Sequence, residues 1–265
     1  MALNLPTFYK RLGSSIVFAA VMLTGLLWNE WAFLALVCLI NVLCLRDYFR
    51  LLQKIDKGAY WPKWLPIVVQ LIGLLFIAID IYPGLIFLFL APACLLLAGV
   101  LSKKNSLLAV LQSIGGLCYI TLPMFLLYSL RMHNFILPLA LILMIWCNDT
   151  MAYLVGSFIG KTPFSPISPK KTWEGTIGGA LLTIIGAALV GHYSGTYRLV
   201  DWMMLALCAT VAGTLGDLLE SKLKRIADVK DSGTLMPGHG GALDRFDSLL
   251  IAAPFAFVYV IYFMR

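Results

Sequence analysis

The chain has 265 residues, of which 61% are hydrophobic and 12% charged, with a net charge of +7 and a mean hydropathy of +0.90. An ordinary soluble domain is about a quarter charged, so this composition excludes a soluble enzyme, a disordered scaffold, a disulfide-rich secreted module and a DNA-binding domain. It leaves a polytopic membrane protein, with room for about eight to ten helices at roughly 20 residues per span.

Apolar segments fall at approximately 13–28, 31–45, 64–82, 84–101, 106–130, 135–158, 176–192, 202–219 and 247–264. They predict an all-α membrane bundle of about nine transmembrane helices. The first segment follows Lys10 and Arg11 but has no convincing small-residue cleavage site behind it, so it reads as a retained span. The second holds only about 15 residues, or roughly 22 Å of helix. It is short enough to pair with the first as a re-entrant hairpin. The cysteines, Cys38, Cys44, Cys94, Cys118, Cys147 and Cys208, lie in apolar stretches without a CxxC pair and read as small buried hydrophobes.

With the N-terminus inside and the segments alternating, 17 of the 20 lysines and arginines fall on the inside; only Arg131, Arg198 and Arg265 lie outside. That asymmetry is the positive-inside pattern and predicts a cytoplasmic N-terminus. It also accounts for the net charge without a nucleic-acid partner. Two inside loops differ from the rest in composition. Loop 159–175 reads IGKTPFSPISPKKTWEG, and loop 220–246 reads ESKLKRIADVKDSGTLMPGHGGALDRF. The outside loops are short and nearly free of charge, so any chemistry belongs to the cytoplasmic face.

In the sixth segment, Trp146, Asp149, Tyr153, Gly156 and Gly160 follow helical spacing. The glycines permit close approach of another helix. Asp149 is then either one member of a packing seam or a wall of a polar cavity. The following GSFIGKT has three residues between its glycines where a Walker loop needs four, and a membrane helix instead of a strand before it, so it is not one. The first loop sets Ser168, Lys170, Lys171 and Thr172 beside Glu174, which suits either phosphate or anionic lipid heads.

The eighth segment ends in a polar stripe, Thr210, Thr214, Asp217, Ser221 and Lys224, on one helical face. A carboxylate inside a span costs roughly 2.5–3.5 kcal/mol when central, so Asp217 needs an interior partner or a cation. The richest stretch runs from Ser221 to Asp247. It carries Lys222, Lys224, Arg225, Lys230 and Arg245, the acids Asp228, Asp231, Asp244 and Asp247, and Pro237-Gly238-His239-Gly240-Gly241 between them. Asp244 and Asp247 are i and i+3 at the start of the ninth span and share a helical face. Carboxylates beside lysines on a glycine-rich loop suit Mg²⁺ with phosphates, because Mg²⁺ takes one or two protein carboxylates and fills its shell with phosphate oxygens and water.

Those residues resemble the signature of the phosphatidate cytidylyltransferase (CDP-diacylglycerol synthase) family. The pattern is S-x-apolar-K-R, then K-D after four residues, then G-H-G-G, then D-R-apolar-D. Here it is carried by Ser221, Lys224, Arg225, Lys230, Asp231, Gly238 to Gly241, Asp244, Arg245 and Asp247. Asp149, Thr150, Ala152 and Tyr153, and then Ser168 to Gly175, are also similar to the family. The match covers roughly residues 145–250. It divides the chain into supporting helices over 1–130 and a catalytic part over 131–265. Met236 and Ala242 stand where the family usually has Leu, Ile, Phe or Val; both remain apolar, so the departure bears on loop packing more than on chemistry and leaves the choice of lipid open.

The resemblance implies transfer of CMP from CTP to phosphatidic acid, giving CDP-diacylglycerol and pyrophosphate, by a Mg²⁺-dependent, dimeric membrane enzyme. Its metal-binding acids fall on Asp217, Asp244 and Asp247, with room for a second cation. Lys224, Arg225 and Arg245 would neutralise phosphates, and Lys170 and Lys171 would hold the β- and γ-phosphates. Ser168, Thr172, Ser221, Lys222, Lys230, Asp231, Gly240 and Gly241 would line the substrate. His239 would protonate pyrophosphate or hold the loop. A bacterial inner membrane with a cytoplasmic active site is the expected setting. Two other readings stay open: another CTP-using lipid enzyme, such as a polyprenol or phytol kinase relative, and an ion-coupled transporter with Asp149 and Asp217 on its path. The absence of an internal repeat and the bare outside loops count against the transporter.

Overall fold

The computed structural model describes residues 5–56, 107–235 and 240–264. The apolar segments expected at 64–82 and 84–101 and the candidate residue His239 lie outside the described residues. Among those residues, six helices are long and apolar enough to cross a membrane: Glu30–Ile55, Val110–His133, Ile136–Ile159, Trp173–Ser194, Leu199–Ile226 and Leu243–Tyr262. The chain is a helical integral membrane protein. It separates into two compact units, Met1–Tyr128 with Ile226–Phe246, and Ser129–Arg225 with Asp247–Arg265.

In the first unit, α1 (Leu5–Leu27) packs on α2 (Glu30–Ile55). Asn29 caps α2 by accepting from the Ala32 N–H at 2.7 Å. The second segment is longer than its hydropathy indicates. α2 has 26 residues, a length of about 39 Å, because it continues through Arg46, Asp47 and Arg50. Those charges end the hydropathy signal without ending the helix. Arg46 is half exposed, whereas Asp47 is turned fully into the protein. Among the described residues the next helix is α3 (Leu107–Gly116), followed by one π turn (Leu117–Thr121) and α4 (Leu122–His133). The Tyr48 hydroxyl donates to the Gln112 carbonyl at 3.2 Å, and buried Thr121 donates to the Asn41 amide oxygen at 3.0 Å. These bonds satisfy polar groups that lipid would leave unpaired.

The second unit is built on α5 (Ile136–Ile159) and α6 (Trp173–Ser194). Their contact runs along small residues, as the glycine spacing in the sixth segment predicts. A Cβ on Gly179 would lie 2.7 Å from the Ala152 nitrogen, and one on Gly175 would lie 2.7 Å from the Ala152 carbonyl. Between these helices the all-α expectation needs a correction. Residues Pro163–Ser165 (β1) and Ser168–Thr172 (β2) form a short antiparallel hairpin with a bulge. Glu174 fastens its base, accepting from the Lys161 and Thr162 N–H groups at 3.2 Å and from the Thr162 hydroxyl at 2.8 Å. Thr172 caps α6 through the Gly175 N–H. The chain continues through α7 (Leu199–Leu207), a second π turn (Cys208–Ala212) and α8 (Gly213–Ile226), and later α9 (Leu243–Tyr262). α8 extends seven residues into the segment expected as loop 220–246, so Glu220 to Ile226 are helical.

Candidate active site

Helix α8 turns amphipathic after the π turn, and this places its polar face beside the first turns of α9. The approach is set by Gly216. A Cβ there would strike the Asp247 carbonyl oxygen and would lie 3.1 Å from both its carbonyl carbon and the Ser248 Cα. With no side chain at Gly216, the carboxylates on either side of it come together. Asp217, Glu220 and Asp247 each offer an oxygen within 4.8 Å of the others. Glu220 is fully buried, and the Asp217 side chain keeps 27% of its exposure.

Two ammonium groups enter this cluster. Lys171, carried on β2, pairs with Asp217, and Lys224, one turn along α8, pairs with Glu220. The Ser221 hydroxyl donates to Asp217 at 3.3 Å. Three carboxylates thus face two ammonium groups. The balance of charge is therefore negative even with both lysines in place. Like charges this close inside a membrane protein are costly unless cations meet them. The donor set is hard oxygen, the type that Mg²⁺ takes, and the Asp217 side chain is partly exposed. The residues present thus fit a divalent ion.

The loop that precedes α9 is organised within the other unit. Asp244 Oδ2 accepts from the Ser232 N–H at 2.9 Å, the Ser232 hydroxyl at 2.8 Å and the Gly241 N–H at 2.7 Å. Gly240 has φ +83°, a conformation that favours glycine, and a Cβ there would lie 2.5 Å from Asp244 Oδ2. Behind the loop stands Asp47 of α2, whose Oδ2 accepts from the Ala242 N–H at 2.7 Å.

Of the residues singled out in the sequence, the structure brings Asp217, Asp247, Ser221, Lys224 and Lys171 together, and it brings Asp244, Gly240 and Gly241 together. Lys170, Lys222, Arg225, Lys230, Asp231 and Arg245 are exposed, while Ser168 and Thr172 are half-buried in the hairpin. Thr172 and Glu174 fasten that hairpin to α6. Two residues were missed. Glu220 sits in ESKLKR, which reads as the solvated end of a helix. Asp47 lies between two arginines in a part of the chain that carries no motif. Its one signal was an acid one helical turn from the apolar Cys44 and Leu51.

Helices long and apolar enough to cross a membrane, with carboxylates and lysines gathered along α8, define a class: an integral membrane protein with an acidic cluster that could hold a metal ion. The chain matches the model of the Cytidylyltransferase family over residues 9–263, and it belongs to that family. It is 40% identical over 138 residues to a phosphatidate cytidylyltransferase of Haemophilus influenzae, covering 50% of this chain and 48% of that one. It is 47% identical over 117 residues to a protein of the same name from Bacillus subtilis, covering 43% of each. A Staphylococcus saprophyticus protein of that name is 38% identical over 159 residues, covering 58% of this chain and 61% of the relative. The chain thus spans about half the length of the curated relatives it matches.

Proposed function

We propose that this chain is a phosphatidate cytidylyltransferase, transferring CMP from CTP to phosphatidic acid and releasing pyrophosphate. The observation that carries the reading is the convergence of Asp217, Glu220 and Asp247 with Lys171 and Lys224, in a chain of the cytidylyltransferase family. A phosphate monoester has a second pKa of about 6, so the lipid phosphate is largely ionised at neutral pH and needs no general base. One of its oxygens bonds to the α-phosphorus of CTP. The bond from that phosphorus to the bridging oxygen breaks, and pyrophosphate leaves.

The obstacle is repulsion between two anions. Positioning and charge stabilisation remove it. Asp217, Glu220 and Asp247 would hold Mg²⁺. A bound Mg²⁺ supplies neutralisation of phosphate charge and polarises the reacting phosphoryl group. Lys171 and Lys224 would exchange a carboxylate partner for a phosphate oxygen as substrate enters. On the sequence resemblance, Lys170, Arg225, Lys230 and Arg245 would also meet phosphate, and Asp244 would join the metal ligands while holding its loop.

The test is a product assay with purified protein, phosphatidic acid, Mg²⁺ and CTP labelled at the α-phosphate. Label is expected in an organic-soluble lipid, with pyrophosphate released. Label remaining in water across divalent ions would refute the reading, and label in a different lipid would change the acceptor.

The proposed setting is a bacterial inner membrane, with about nine spans, a cytoplasmic N-terminus and the site on the cytoplasmic face. The bias of lysine and arginine supports it. In a cysteine-free background, Thr196→Cys is expected to react with an impermeant maleimide on intact cells, and Thr234→Cys only after the membrane is opened. The reverse pattern would invert the topology. A homodimer is proposed as well, and a detergent-corrected particle mass of one chain would exclude it.

A further inference from the structure

We propose that Asp47 is a positioning residue for the glycine-rich loop and, through that loop, for Asp244; its effect on turnover rests on the function proposed above. Asp47 is 0% exposed on a helix long enough to span the membrane. A buried carboxylate survives only where donors or cations compensate it. Arg46 offers weak compensation, since its Nη2 stands 3.4 Å away and its side chain is half exposed.

The stronger donors come from a distant part of the chain. Asp47 Oδ2 accepts from the Ala242 N–H at 2.7 Å and lies 3.5 Å from the Leu243 N–H. These amides open α9, where N–H groups have no partner within the helix and the helix dipole favours a negative charge. Asp47 therefore serves as an N-terminal cap supplied from 195 residues away. A local residue does not take that role, because Asp244 in the first turn is occupied with Ser232 and Gly241.

Two glycines are fitted to this carboxylate. A Cβ on Gly233 would lie 2.6 Å from Asp47 Oδ1, and one on Gly241 would strike Oδ2. Neighbouring loop residues divide their contacts between the two acids. Ser232 bonds Asp244 while Gly233 lies against Asp47. Gly241 gives its N–H to Asp244 and lies with its Cα side against Asp47. Two carboxylates, one on α2 and one on α9, thus hold the loop from both sides. Without Asp47 the Ser232 and Gly241 donors lose the register that fixes Asp244.

The experiment uses the full chain in lipid nanodiscs, with hydrogen–deuterium exchange and steady-state kinetics read on the same preparations. In Asp47→Ala, exchange at residues 240–246 is expected to rise by about tenfold or more, with α5 unchanged. Turnover is expected to fall about a hundredfold, with KM for CTP shifting less than about threefold. Asp47→Asn keeps an acceptor oxygen, and asparagine caps helices about as well as aspartate, so it should restore much of both. If Asp47→Ala does not insert, Asp47→Glu takes its place, since its longer side chain is driven into Gly233 and Gly241. Wild-type exchange at 240–246 would overturn the inference. So would an equal rise throughout the chain, or no recovery in Asp47→Asn. Exchange as expected in a protein that transfers no CMP would refute the proposed function and leave the role of Asp47 standing.

Discussion

Asp217→Asn and Asp247→Asn are each expected to lower turnover about a thousandfold, or about 4 kcal/mol of transition-state stabilisation, while the protein still inserts. The change is nearly isosteric, so what it removes is charge and, with it, affinity for the proposed metal. Asp217 is the partner of Lys171, and its loss leaves that ammonium without the carboxylate that now holds it at the site. Asp247 is the one member of the cluster supplied by α9, so its loss disconnects the two helices electrostatically. Glu220→Gln belongs to the same set. Its carboxylate is fully buried beside Lys224, and removing one member of a buried pair costs more than the pair contributes. Residues that act as one unit are non-additive, so the Asp217→Asn, Asp247→Asn double variant should be little worse than either single one. Turnover and Mn²⁺ binding by electron paramagnetic resonance measure the two consequences separately. Near wild-type values of both in all three variants would refute the metal site.

What was legible in the sequence follows from the kind of signal each residue gives. Asp217 stood out because a carboxylate among apolar residues has few explanations in a membrane protein, and Asp247 because it shares a helical face with Asp244 at the end of a highly charged stretch. Glu220 did not, because by ESKLKR the hydropathy has already fallen, and an acid followed by lysines at helical spacing is the usual pattern of a solvated helix end. Only the burial of that face against α9 distinguishes it, and burial between segments far apart in the chain is not a local property. The same limit hid the true length of α2. Arg46, Asp47 and Arg50 look like a membrane boundary until the partner of Asp47, nearly two hundred residues on, is known. The hairpin at 163–172 was hidden for another reason. Its strands are three and five residues long and rich in proline and serine, which read as loop, and Glu174 and Trp173 hold it from outside the strands. The close packing of α5 on α6 was readable because glycine and alanine at helical spacing have one main use between membrane helices.

Gly216→Ala tests whether the distance between α8 and α9 matters as much as the charges they carry. The added methyl would meet backbone on its near side: the Asp247 carbonyl oxygen, its carbonyl carbon at 3.1 Å and the Ser248 Cα at 3.1 Å. A flexible side chain could turn away from such a contact; backbone within a helix cannot. The helices must therefore shift apart by something on the order of 1 Å, at a cost of roughly 1–3 kcal/mol in packing. Membrane insertion should survive that cost, because the candidate spans Leu199–Ile226 and Leu243–Tyr262 keep their length and apolar character. Catalysis should be more sensitive, since a displacement of about 1 Å at a reacting centre can cost about a hundredfold. The expected result is a correctly inserted protein with turnover reduced about a hundredfold. Half-saturation by Mg²⁺ should move to higher concentration, because Asp247 no longer stands within reach of Asp217 and Glu220. Gly213, one turn earlier, supplies the control. A Cβ there would lie 3.5 Å from the Ser248 Cβ, an ordinary contact, so Gly213→Ala should keep most of the activity. Equal activity in the two alanine variants would show that the carboxylates tolerate the separation, and the cluster would then owe its function to charge alone.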